Sequence, residues 1–390
     1  MGAGGRGISS AMVVEEIGAG RTVGVEEEFL LVDPVSGQPV DGADEVLVRA
    51  AGLPGPAPDA AVHAELLGTQ VEAATGVCVD LAELERQVEQ GRRRLAAAAE
   101  AGGLWLVASG TPVLAGAPVP PSPGERFGWI ATRYAGVVAD YHSCGCHVHV
   151  GVPDRDTAVG VLNHLAPWLP TLLALSANSP FDRGADTGYA SWRMVTQSRF
   201  PGSGLAPWFG SAAAYDDQVD ALVDCGVLAD RHQSFWLARL SPRLPTVELR
   251  VADTAATVAG AVLQAALSRA LVRTALAELA AGREAAPVDG QLAAAAVWSA
   301  ARYGLRGPAV HLPTGRPVAA ARLLAELVDL VSPALAEAGD LAVVRAELAV
   351  VSAEGTGADH QRRAAAGGPL AVVRLLAERT LRNPAPIGES

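Results

Sequence analysis

Apolar and polar residues alternate with a period of two at four places along the chain, the pattern of half-buried β-strands. The first is TVGVEEEFLLV, residues 22–32. Val23, Val25, Phe29 and Leu31 fall on one side, and Gly24, Glu26 and Glu28 on the other. Glu27 falls among the apolar set and requires a partner, because a buried, uncompensated carboxylate is costly. HAELLGTQVEAATGV, residues 63–77, reads as one or two further strands with a bulge at Gly68. There Gln70 and Glu72 share a side, opposite Val71 and Ala73. CGCHVHVGV, residues 144–152, places His147 and His149 together, with Val148 and Val150 opposite. TVELRVADT, residues 246–254, sets Glu248 and Arg250 against Val247, Leu249 and Val251.

Helical periodicity fills the intervals. Asp80 opens a helix with Glu83 at capping-box spacing, and Leu81, Leu84, Val88 and Leu95 form its stripe before Gly102-Gly103 stops it. Residues 104–110 read as a buried strand, 111–124 as a Pro-rich loop and 127–141 as a helix. Residues 161–180 read as helical around their prolines. Residues 178–210 form a long irregular connection, a kind of segment that often carries function. From about Ala255 the pattern changes to Ala/Leu-rich helices only. Mixed strands and helices followed by helices predict an α+β fold with an antiparallel or mixed sheet, not a doubly wound parallel one. The expected organisation is a flexible leader over 1–20 and a single domain over 21–390, with 255–385 as its helical portion packed on the sheet.

Composition narrows the chemistry. The net charge is −12, which makes nucleic acid and anionic membranes poor partners. No apolar run reads as long enough to span a bilayer. The first apolar stretch ends at Glu15-Glu16, unlike a secretory signal, so a cytoplasmic location is expected. Without secretion, the four cysteines are not read as a disulfide framework. The Ala/Leu-rich helices could serve a core or a homodimer contact. All 30 basic residues are arginine. The absence of lysine excludes a Walker A loop and a Schiff-base lysine, so phosphate chemistry would rest on arginine, backbone amides and metal ions.

Residues two apart on a strand share a face at roughly 7 Å. The four strands could therefore line one surface with Glu26, Glu28, Glu72, His147, His149, Glu248 and Arg250. Clustered carboxylates require cations, and hard oxygen donors select Mg²⁺ or Mn²⁺, which leave positions for water and phosphate. Taken singly, each motif has another reading. Glu26 and Glu28 could be a solvated acidic strand, and Glu248 with Arg250 a surface ion pair. His147-x-His149 near Cys144 and Cys146 could be a zinc site, although Cys146 falls on the opposite side of a regular strand. Repetition across four strands favours a metal platform for a phosphate-bearing substrate.

TVGVEEEFLLVDP, HAELLGTQVEAAT, CGCHVHVGVPD, ANSPF…RGADTGYASWR and VELRVADT, in this order and spacing, resemble the carboxylate–amine ligases of the glutamate–cysteine ligase type 2 group. The likeness runs from about Thr22 to at least Gly368. It implies a glutamine-synthetase-like fold, with a curved antiparallel sheet forming an active-site funnel flanked by helices. It implies an ATP- and Mg²⁺-dependent ligase that joins glutamate to cysteine or another amine through an acyl phosphate. By position, Glu26, Glu28, Glu72, His147 and Glu248 resemble the metal and nucleotide-phosphate ligands, with Glu65 a further one that a bend must bring into line. Arg250 resembles the group that neutralises the transferring phosphoryl, with Glu28 beside it in catalysis and Glu72 and Arg193 toward the nucleotide. RGADTGY implies that Arg183, Tyr189 and Asn178 hold the amino-acid substrate, although Arg183 could equally close a loop salt bridge. Relatives often carry GTHP where this chain has SGTPV, residues 109–113, which bears on substrate details. Two readings of other classes stay open: a zinc hydrolase built on His147 and His149, and a non-catalytic sensor of nucleotide or amino acid.

Overall fold

A computed structural model describes residues 18–381 of the chain. The strands are β1 (Val23–Val32), β2 (Ala61–Ala64), β3 (Gln70–Ala74), β4 (Trp105–Val107), β5 (Gly145–Gly151), β6 (Phe181–Asp182), β7 (Ala185–Asp186), β8 (Ala238–Leu240), β9 (Thr246–Asp253), β10 (Pro308–His311) and β11 (Arg316–Ala319). Among the described residues, seven of them form one sheet in the order β2-β3-β1-β5-β9-β8, with β4 also on β1. Every pairing in it is antiparallel. The α+β expectation is met.

The alternation read from sequence assigns the two faces. Val23, Val25, Val148, Val150, Val247, Leu249 and Val251 enter one large core with Leu162, Leu172 and Leu263 from the helices behind the sheet. Phe29, Leu31 and Val71 enter a second core with Leu95 and Ala98 of helix Leu81–Glu100. Burying each such side chain contributes about 1.5–3 kcal/mol, so register is strongly specified. Helix Val258–Ala280 runs behind the sheet and is buried nearly all round. Asp80 caps helix Leu81–Glu100 through the Glu83 amide, but the Glu83 side chain turns to Arg86 and Gln87, so only half of the expected box forms.

Glu27 finds its partner on that helix. Arg92 meets its carboxylate through Nη2 at 2.6 Å and Nε at 2.8 Å, with both side chains almost fully buried. The remaining guanidinium protons go to the carbonyls of Thr380 and Ala255. One buried pair thus joins the sheet to helix Leu81–Glu100 and to the last helix, Pro369–Leu381.

Several expectations are corrected. The region after Ala255 is not helical throughout, since β10 and β11 form a hairpin. The helix expected over 127–141 spans Glu125–Tyr134 and is followed by a short 3₁₀ turn. Residues 1–17 of the expected leader lie outside the described residues, and Gly20 already bonds Gly151. One helical run, Arg155–Ser176, is long and apolar enough to cross a bilayer, but 78% of its apolar window is buried inside the fold.

Candidate active site

The polar face of the sheet gathers side chains from five strands. Glu28 stands opposite Glu72, Glu26 opposite His147, His149 opposite Glu248, and Glu248 opposite Arg239. Glu65 follows β2 in the bend before β3 and reaches the same surface. The donor atoms fall into three overlapping groups: Glu26, His149 and Glu248; Glu26, Glu72 and His147; and Glu28, Glu65 and Glu72. Within each group they lie within 4.8 Å of one another. All six residues expected as metal ligands are therefore brought together.

The strand pairing has one irregularity at this place. Cys146 pairs with Ala252 but Val148 with Leu249, so Arg250 and Val251 of β9 oppose the single residue His147 of β5. This bulge sets Arg250 Nη1 3.4 Å from His147 Nδ1. Below it, the Thr254 hydroxyl joins the carbonyls of Glu28 and Gly145, locking three strands. Gly145 has no substitute, since a Cβ there would sit 2.4 Å from the Arg193 guanidinium. Its amide donates to Glu28 at 2.5 Å.

Charge on this face is unevenly compensated. Glu248 is held by Arg239 at 2.7 and 3.1 Å and by Arg250. Burial alone would raise its pKa, but the two guanidinium groups and the imidazoles outweigh that and hold it far below the usual range. Burial also opposes ionisation of Glu26, yet the nearby imidazoles of His147 and His149 pull its pKa well down. Glu65 and Glu72 behave in the opposite way. Burial, then the neighbouring carboxylates, raises Glu72 well above normal. Burial, then Glu28, pushes Glu65 up to about 8. Burial and mutual repulsion thus favour the protonated form of both carboxyl groups. For His149, burial disfavours the charged form, but Glu248 and Glu26 raise its pKa. For His147, burial and then Arg250 lower it.

Both imidazoles leave Nε2 buried without a hydrogen-bond partner among the described residues. His149 has its Nδ1 at 2.9 Å from the Thr246 hydroxyl, which fixes the ring with Nε2 directed at Glu26 and Glu248. An orphaned imidazole nitrogen between carboxylates is the arrangement of a metal ligand with its orienting partner. Oxygen donors dominate every group, which fits Mg²⁺ or Mn²⁺ better than zinc. Neither nearby cysteine joins them: Cys146 lies in the core behind the sheet, and Cys144 accepts from Gln70.

Three expected residues take other places. Asn178 is buried, and its amide bonds the carbonyls of Ala108 and Thr254 and the Gln361 side chain, so none of it is free for substrate. Arg183 is two-thirds exposed and pairs with Asp140 at 2.9 Å, the loop-closing alternative. Arg183 and Gly184 both have positive φ, the requirement of a tight type I′ turn, and they join β6 to β7. Tyr189 points away from the carboxylates to Trp298, whose indole donates to its hydroxyl at 3.1 Å. Arg193 is 3% exposed and binds the carbonyls of Arg250 and Val251, and its guanidinium stands on the ion-bearing face, where a Cβ on Gly145 would meet both it and His147 Nε2. Asp186 of the same motif is held by Arg362 through two bonds. The stretch expected to grip substrate is used to build a hairpin and anchor the helix Gly357–Ala364. The SGTPV segment is likewise structural, with Ser109 and Thr111 bonded to neighbouring carbonyls.

Sequence reasoning missed Arg239, which clamps Glu248, because β8 is only three residues long and shows too little alternation. It set His149 on the shared face with His147 but left it out of the ligands carried over by the resemblance.

This fold, a helix-backed antiparallel sheet with an acidic and imidazole-bearing face, is the fold of amide-forming ligases. It is similar to the crystal structure of a glutamate–cysteine ligase from Francisella tularensis in complex with AMP, with TM-score 0.67 and 14% identity over 93% of this chain and 90% of that one. It is also similar to a bifunctional glutathione synthetase from Pasteurella multocida, with TM-score 0.65 and 14% identity over 96% of this chain and 54% of that one. The model of glutamate–cysteine ligase family 2 matches residues 22–373, and the chain belongs to that family. A relative in Saccharopolyspora erythraea, named as a candidate glutamate–cysteine ligase 2-2, is 60% identical over 93% of each chain. Another in Salinispora arenicola, named as a candidate glutamate–cysteine ligase 2, is 46% identical over 95% of this chain and 97% of its own.

Proposed function

We propose that the protein is an ATP-dependent carboxylate–amine ligase that joins the γ-carboxylate of glutamate to an amine, with cysteine the acceptor its family name suggests. The observation that carries this reading is the convergence of Glu26, Glu28, Glu65, Glu72, His147, His149 and Glu248 on one face, with two imidazole nitrogens buried and unpartnered. Those residues would hold divalent ions, which supply charge neutralisation to a bound triphosphate. The rest of the work falls to the chain. Phosphoryl transfer needs positioning and charge stabilisation more than covalent help. Arg250, anchored to Glu248 with its Nε buried and unpartnered, offers a fixed positive group beside the ion face without any lysine. Glu28, fixed by the Gly145 amide, keeps its carboxylate aimed at the centre of the face.

The reaction balances as two displacements. A γ-carboxylate oxygen of glutamate attacks the γ-phosphorus, the bond to the bridging oxygen breaks, and ADP leaves. The amine nitrogen then attacks the acyl carbon, phosphate departs, and the nitrogen loses a proton. The acyl phosphate must be kept from water. The Pro-rich loop over 111–124 borders the polar face and is pinned at one end, where Ser122 bonds the backbone of Leu66 and Glu65. The 178–210 segment is held by its buried helix Trp192–Gln197.

The test is ADP release with ATP, Mg²⁺ and glutamate across a panel of amines. Amine-dependent ADP release is expected, with Glu28→Gln and Arg250→Ala each lowering turnover by about 10²–10³ in a folded protein. Full activity in either variant removes that residue from the mechanism. ATP binding with no ADP formed by any amine would leave the sensor reading.

A further inference from the structure

On the opposite side of β9 from the ion face lies a second polar cavity of about 380 Å³. It is walled by helices Val258–Ala280, Leu341–Glu354, Gly357–Ala364 and Pro369–Leu381. Glu347, Glu354, Glu378 and Arg379 line it together. Despite this, Arg379 makes no ion pair with any described carboxylate, and neither do Glu347 nor Glu378 with any described cation. The Arg379 Nε is buried with no partner, and its Nη1 meets only the His360 ring at 3.3 Å. Burial, then Arg379 and Arg363, holds His360 down to about 4, so at neutral pH it does not serve Glu354 as a counter-ion. Opposite charges therefore face one cavity without neutralising each other. The Arg379 Nε is shielded from water and Glu347 is half-buried, and a ligand carrying both signs would compensate each.

We infer that this cavity binds a small zwitterion of the α-amino-acid type, its carboxylate on Arg379 and its ammonium on Glu347. The volume suits a molecule of that size and the lining contains no Phe, Tyr or Trp to select a flat one. The cavity floor, Ala255 to Thr257, directly continues β9. Thr254 bonds the Glu28 carbonyl, and Arg92 bonds both the Ala255 carbonyl and Glu27. Occupancy is thus linked by direct bonds to the strand that carries Glu28, and on the ligase reading it modulates turnover. The binding itself does not depend on that reading.

Calorimetry without ATP separates the two. Serine, glutamine and glutamate are titrated into Arg250→Ala, Arg379→Ala and Glu347→Gln proteins, alongside glutarate and butylamine, which carry one sign of charge each. At least one amino acid should bind the Arg250→Ala protein, with affinity at least tenfold lower in Arg379→Ala and in Glu347→Gln, and tenfold lower for both single-sign probes. The Glu347→Gln variant conserves volume, so it reports even if Arg379→Ala does not fold. No binding of any amino acid to Arg250→Ala, or affinity unchanged in Glu347→Gln, overturns the inference. A protein that binds as expected but releases no ADP leaves this site standing and refutes only the ligase reading.

Discussion

The Thr246 hydroxyl bears no charge, yet it decides which nitrogen of His149 can meet an ion. With Nδ1 taken at 2.9 Å, only Nε2 is left for the carboxylate face. Removing an orienting partner of this kind lowers metal affinity roughly 10–100-fold. Thr246→Val should therefore raise the Mn²⁺ concentration for half-activation at least tenfold, while turnover at saturating Mn²⁺ changes little. A metal titration of the rate checks it. The Glu65–Glu72 pair makes a second residue-level prediction. Glu65 is raised to about 8 in the folded chain against 4.5 for an ordinary glutamate, so between these values the folded state binds more protons than the unfolded one. Metal-free stability should then fall as pH rises from 5 to 8. Glu65→Gln should flatten that fall, and saturating Mn²⁺ should reverse it, both read as melting midpoints against pH.

At the level of elements, the buried Glu27–Arg92 pair holds the sheet against two helices. Removing Arg92 alone leaves a carboxylate in a dry core, a loss of about 3–5 kcal/mol. Arg92→Met should lose that much in urea unfolding, and the double variant with Glu27→Gln should recover most of it. The sequence showed that Glu27 lay on the wrong side of its strand. It could not show the partner, because Arg92 is 65 residues away and reads as one of several arginines on an amphipathic helix. The faces of β1, β3, β5 and β9 were legible because each has a core on one side, so period two survives in the residue string. Glu65 came from the family resemblance instead, since its odd spacing from Glu72 puts it off that face unless the chain bends. Arg183, Tyr189, Asn178 and Arg193 were harder. Three of them sit on connections, where no periodicity reports direction, and Arg193 on a helix of only 6 residues; hydrogen bonds with distant side chains or backbone fix them instead.

For the whole molecule, the claim is that a sheet closed behind by apolar helices presents a single ion-binding face, and that ATP is consumed there. The donor set also distinguishes this reading from a zinc hydrolase. Chelation should abolish activity, Mg²⁺ or Mn²⁺ should restore it, and elemental analysis should find no stoichiometric zinc after purification. The most direct measurement is product analysis by anion exchange and mass spectrometry after incubation with ATP, Mg²⁺, glutamate and cysteine. ADP, phosphate and a γ-glutamyl amide formed in equal amounts, and absent with Glu28→Gln, are predicted. AMP and pyrophosphate in place of ADP, or amide-bond cleavage without ATP, would contradict the account.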